Sequence, residues 1–99
     1  MSVVELGASP ALTLISEYDP AARAIRINGA SLRRVVRVLG DAEYDNVVRA
    51  AVAHELYHHE VAEGRIAALR DRRAVEREAE HFVRVRYGID PTRFERVLR

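Results

Sequence analysis

Apolar positions along the chain change period near residue 30. Before it they suit strands. The stretch Ala11-Leu-Thr-Leu-Ile15 is β-prone, and after the turn signal Asp19-Pro20 the segment Ala24-Ile-Arg-Ile-Asn28 alternates apolar and polar up to Asn28-Gly29. Two short strands around a turn predict a β-hairpin, with strands over about 11–17 and 24–28. From there the apolar residues recur at helical spacing. Ser31 is placed to cap a helix over 31–39 carrying Leu32, Val35, Val36, Val38 and Leu39, with Gly40 as its stop. Asp45 is placed to cap a long helix over 46–63, ended by Gly64. A third helix is expected over 71–87, closed by Gly88. Asp90-Pro91 reads as the cap and first position of a short helix over 91–98 with Phe94, Val97 and Leu98. No repeat or linker interrupts the series. The expected fold is α+β and helix-dominant, an N-terminal hairpin followed by helices in one domain over 1–99.

Projection of the long helix puts Val47, Ala51, His54, His58 and Val61 on one face and Val48, Val52 and Leu56 on a second apolar face. Only the sector with Arg49, Ala53 and Glu60 suits solvent, so the helix is expected to be buried on most sides. The next helix centres its core face on Val75, Ala79, Phe82 and Val83. Glu76 and Glu78 flank that face on opposite sides, Glu80 lies further round, and His81 points away.

Composition narrows the chemistry. Of 99 residues 48% are apolar and 31% charged, which suits a packed globular domain. The absence of cysteine excludes disulfides, thiolate metal sites and cysteine nucleophiles. Any metal must be held by His, Asp or Glu. The net charge is +1, and all 16 basic residues are arginine. Residues 64–99 hold ten arginines against six acidic residues, but the charges interleave. Helical i,i+4 pairs explain that pattern better than a phosphate-binding stripe, so no nucleic-acid partner is expected. The N-terminus carries Glu5 before its apolar stretch and does not read as a signal peptide. No apolar run approaches the roughly 20 residues of a membrane span, so no membrane partner is expected and the expected compartment is the cytoplasm.

Against this background three of the four histidines fall within His54-Glu55-Leu56-Tyr57-His58-His59. Residues four apart on a helix project from one face, a turn apart, which suits two imidazoles meeting one tetrahedral ion. Glu55, about 100° round from His54, can reach a water on that ion without ligating it. Such a carboxylate takes a proton from the water and passes it to a leaving amine. Two buried histidines need a polar partner, and a metal is the economical one. His59 lies about 100° from His58 and is not expected to bind the same ion; it is read as supporting the ligands from behind or as partly exposed. A third ligand must come from elsewhere, and periodicity leaves both Glu76 and Glu78 open.

The segments "AVAHELYHHE" and "EREAEHF", with the earlier "YDPAARAIRIN", resemble the ImmA/IrrE-type metallopeptidases over roughly residues 15–85. Members of that family are gluzincins, zinc peptidases with two histidines and a glutamate as ligands. The resemblance implies a minimal zincin-like domain with Zn2+ as cofactor and a peptide or protein as substrate. Carried over by position, it makes His54, His58 and Glu76 the metal ligands and Glu55 the catalytic base. It selects Glu76 because that residue precedes Ala79 by three. The family often has Gly where Tyr57 stands and Ala where Val83 stands. The chain also resembles the stand-alone minigluzincins, some of which are zymogen-like. A latent or regulatory zinc-binding form, its cleft blocked by a terminal segment or partner, is therefore the alternative to an active endopeptidase. The tail with Arg93, Arg96 and Arg99 is a candidate blocking segment, and simple packing on the core is its competing role. A homodimer is the further candidate assembly. The donor that stabilises an oxyanion is left unassigned among Tyr18, Tyr44, Tyr87, His81 and the arginines.

Overall fold

The computed structural model describes residues 2–6 and 16–98, without side-chain detail at 2–6, 95 and 98. The architecture is helix-dominant α+β. Three strands, β1 (Ser2–Leu6), β2 (Ser16–Asp19) and β3 (Ala24–Asn28), form one sheet in the order β1-β3-β2. β2 and β3 make the expected antiparallel hairpin, with Tyr18 opposite Ile25. Residues 11–15 of the first expected strand lie outside the described residues, and its visible part runs on to Asp19. β1 was not expected. It pairs in parallel with β3, Val4 opposite Arg26, so the hairpin is the edge of a larger sheet.

The hairpin turn is built by Asp19. Its Oδ1 accepts from the amides of Ala21 and Ala22, and its Oδ2 accepts from Arg26 at 2.7 Å. This is the Asx-turn chemistry that makes Asp-Pro a turn signal. Arg23, closing the turn, sits at φ 52°, a left-handed conformation that costs a non-glycine residue energy.

Four helices follow: α1 (Gly29–Leu39), α2 (Tyr44–Ala62), α3 (Arg72–Tyr87) and α4 (Thr92–Leu98). Two expected caps are corrected. Asn28, still extended at the end of β3, accepts from the Ser31 amide, so α1 starts directly off the strand and Ser31 is buried in its first turn. A single 3-10 turn, Asp41–Glu43, feeds α2. Asp45 therefore lies inside the first turn, where its charge favours the helix dipole without capping it. Asp71 caps α3 through the Arg73 amide, and Gly88 ends it in the left-handed region at φ 67°. Asp90 accepts from both the amide and hydroxyl of Thr92 and so starts α4.

The core joins β3, α1, α2, α3 and α4 through Ile27, Leu32, Val35, Val47, Val83 and Phe94, with Ala50 and Ala53 of α2 among them. Ala53 was expected in the solvent sector of α2. It is 1% exposed because α2 is covered on that side as well. Ala79, 0% exposed, is the small residue that lets α3 close on α2, and the buried Tyr57 packs against Phe82 at 5.9 Å between ring centroids. α2 thus has one flank against the core and another against the hairpin. No helix among the described residues is long and apolar enough to cross a membrane.

Candidate metal centre

Between β2 and α2 lies a cleft of about 470 Å3. One wall is Ser16, Glu17, Tyr18 and the turn residue Pro20; the other carries His54, Glu55 and His58 of α2, with Glu76 of α3. Helical spacing brings the two imidazoles together, their planes tilted by 58° and their centroids 5.2 Å apart. One ligand atom each from His54, Glu55 and His58 lies within 4.8 Å of the others, and this group can hold a metal ion.

Glu76 reaches the same place from the second helix. Its Oε2 is 3.4 Å from His54 Nε2, although it lies outside the tightest cluster. Glu78, the other candidate that periodicity left open, is exposed and is not among the residues lining the cleft. Its charge is felt instead by Tyr57, whose hydroxyl is pushed up first by burial and then by Glu78. His81 is exposed as expected of a solvated face, whereas Glu80 is half-buried beside Arg84.

Electrostatics set the protonation states that ligation needs. Burial, and next the neighbouring His54, hold His58 below the ordinary imidazole range, so its ring is neutral near pH 7 with a free lone pair. Glu76 is held below the usual carboxylate range, first by its hydrogen bond from His54, and stays ionised. A neutral imidazole and an ionised carboxylate are forms that bind metal.

Glu55 behaves differently. It is 4% exposed, and burial is the main cause that pushes its pKa up to about 7; the charges of Glu76 and Glu17 add to this and His54 opposes it. Its Oε2 is buried without a hydrogen-bond partner among the described residues. An orphaned buried carboxylate oxygen beside two histidines is costly unless something polar occupies the space it faces. Two imidazoles and a carboxylate, with Glu76 standing close by, fit a hard or borderline divalent ion.

Sequence reasoning missed the environment of His59. Far from idle, the ring is 6% exposed and its Nδ1 shares a 2.7 Å hydrogen bond with the Tyr18 hydroxyl. Of the oxyanion-donor candidates Tyr18, Tyr44, Tyr87 and His81, Tyr18 alone lines the cleft. Tyr44 is exposed, and Tyr87 packs against the core. Strand alternation could have paired Ser16 with Tyr18 on one face, but which helix residue that face meets is a long-range fact.

No protein-family model matches this chain, and no curated protein or solved structure matches it either.

Proposed function

We propose that this chain is a zinc-dependent endopeptidase of the gluzincin type, the family its HExxH helix and EREA segment resemble. The observation that carries this reading is Glu55. A buried carboxylate with an unpartnered oxygen and a pKa of about 7, beside two neighbouring histidines on a cleft wall, is poised for proton transfer near neutral pH. Structural reasons alone would favour a non-ionisable residue there.

His54, His58 and Glu76 would hold the ion. Bound zinc would supply Lewis acidity to the reacting carbonyl and lower the pKa of a water towards ~7. Glu55 accepts the proton that a water gives up as its oxygen bonds to the scissile carbonyl carbon. It returns that proton to the amide nitrogen as the C–N bond breaks. β2 pairs only with β3 among the described strands, so its outer edge supports docking of an extended peptide along the cleft.

A latent form blocked by the C-terminal tail has less support. α4 buries Phe94 in the core, and no described residue of α4 lines the cleft. Of the tail's arginines, Arg93 is engaged with Glu43 at 3.0 Å.

The test is metal content with turnover. Stoichiometric zinc in the purified chain and proteolysis that falls roughly 100-fold or more in Glu55→Gln are expected. Zinc-free purified protein, or unchanged proteolysis in that variant, overturns the reading.

A further inference from the structure

Three contacts tie the hairpin to α2 and to Glu63 at its end, and they bracket the candidate metal-binding residues. Ser16 Oγ donates to the carbonyl of Ala51, a turn before His54, at 3.2 Å. Tyr18 bonds His59, one residue past His58, with the two rings edge-on at 5.5 Å. Beyond them Arg23 of the turn pairs with Glu63 at 2.5 Å, and Glu63 also stands 3.9 Å from the second ring nitrogen of His59.

Ser16 and Tyr18 sit two apart in β2, so both project from its α2-facing side. An apolar pair there would hold the hairpin against the helix by area alone, which is indifferent to small slides. A 2.7 Å hydrogen bond is directional and fixes both separation and register. His59 has little freedom to respond otherwise, being buried with a ring contact on one side and Glu63 near its other nitrogen. Arg23 adopts φ 52° at the turn whose side chain reaches Glu63, so the far end of the clamp sits on a conformation that must be held in place.

We propose that Tyr18 and His59 are a positioning pair that sets the height and register of β2 over His54, Glu55 and His58, and hence the alignment of an extended peptide in the cleft. This rests on the endopeptidase reading. Neither residue binds the metal or moves the reacting proton; they act through the strand that the substrate lies against. Loss of the pair therefore weakens substrate alignment while leaving metal affinity alone.

The experiment uses the full chain loaded with zinc and a fluorogenic peptide copied from a cleavage site mapped in casein. Tyr18→Phe keeps the ring and removes the hydroxyl. It is expected to lower kcat/KM roughly tenfold, mainly through KM, with zinc affinity unchanged. His59→Leu should do the same, and His59→Asn, whose amide can replace the Nδ1 contact, should recover most of the loss. A readout apart from turnover is peptide binding in the Glu55→Gln background, where adding Tyr18→Phe should weaken affinity by a similar factor. Thermal melting of every variant checks that the fold survives. Wild-type KM and wild-type peptide affinity in Tyr18→Phe would overturn the positioning role while Glu55→Gln remains inactive. Equal losses in His59→Asn and His59→Leu would also count against it. If instead the wild-type chain cuts no casein, or Glu55→Gln cuts it equally well, the endopeptidase reading itself has failed, and this inference with it.

Discussion

Helix α2 is buried on two sides that solve burial in opposite ways. Towards the core, Val47, Ala50 and Ala53 meet Leu32, Val35, Val83 and Phe94, apolar against apolar. Towards the hairpin, the same helix buries Glu55 and His59 and half-buries His54 and His58. The first side contributes stability through area removed from water. The second spends stability, because a carboxylate with an unpartnered oxygen opposes folding. One helix thus separates the residues that hold the domain together from those that make the cleft chemically useful. Placing both on one rigid element keeps the candidate ligands one turn apart with the core as their support.

The largest expected effect breaks the core side. Phe94 is 1% exposed, and Phe94→Ala should cost about 3–5 kcal/mol in a urea titration, because the vacated volume cannot fully collapse. If the two sides are separable, the fraction still folded should bind metal as wild type does. Loss of metal affinity in protein that melts normally would show that the ligands depend directly on the core.

On the cleft side the expected effect is somewhat smaller and depends on pH. The folded-state pKa of Glu55 is raised from 4.5 to about 7, so protonated Glu55 is the form the metal-free fold favours. Its contribution is fully present below pH 4.5 and is lost as pH rises through about 7. The shift corresponds to at most about 3 kcal/mol. His58 titrates in the opposite sense, its pKa being lowered, so stability from that ring is gained as pH rises towards 6.5 and lost on acidification. Comparing wild type with Glu55→Gln isolates the carboxylate. In chelator the stability difference should move in favour of Glu55→Gln between pH 5 and 8. A difference that stays flat across that range would mean Glu55 is hydrated in solution.

The same contrast explains how much of the molecule was legible beforehand. Local signals carried the helices: Asp71 and Gly88 bound α3 as expected, and helical spacing placed His54 beside His58. β1 was missed because its partner β3 begins at Ala24, and five residues reading Ser-Val-Val-Glu-Leu carry no clear alternation. Ser31 looked like the cap because serine favours that role, but Asn28 was already extended and correctly placed by the strand. Within the site, periodicity could not separate Glu76 from Glu78, since both flank the apolar face of α3. Both glutamates are exposed, and it is the packing of α3 on α2 that brings Glu76 within 3.4 Å of His54 and keeps Glu78 off the cleft lining. His59 was legible as a position and not as a partner, because the hydroxyl it meets lies 41 residues earlier.

That pair of glutamates gives the most direct test of the proposed metal centre. Zinc should be titrated calorimetrically into metal-free wild-type chain, Glu76→Gln and Glu78→Gln at neutral pH. One zinc per wild-type chain is expected, with affinity lowered roughly tenfold or more in Glu76→Gln and unchanged in Glu78→Gln. No stoichiometric zinc binding by the wild-type chain, or indistinguishable affinities in the two variants, would contradict a centre built from His54, His58 and Glu76.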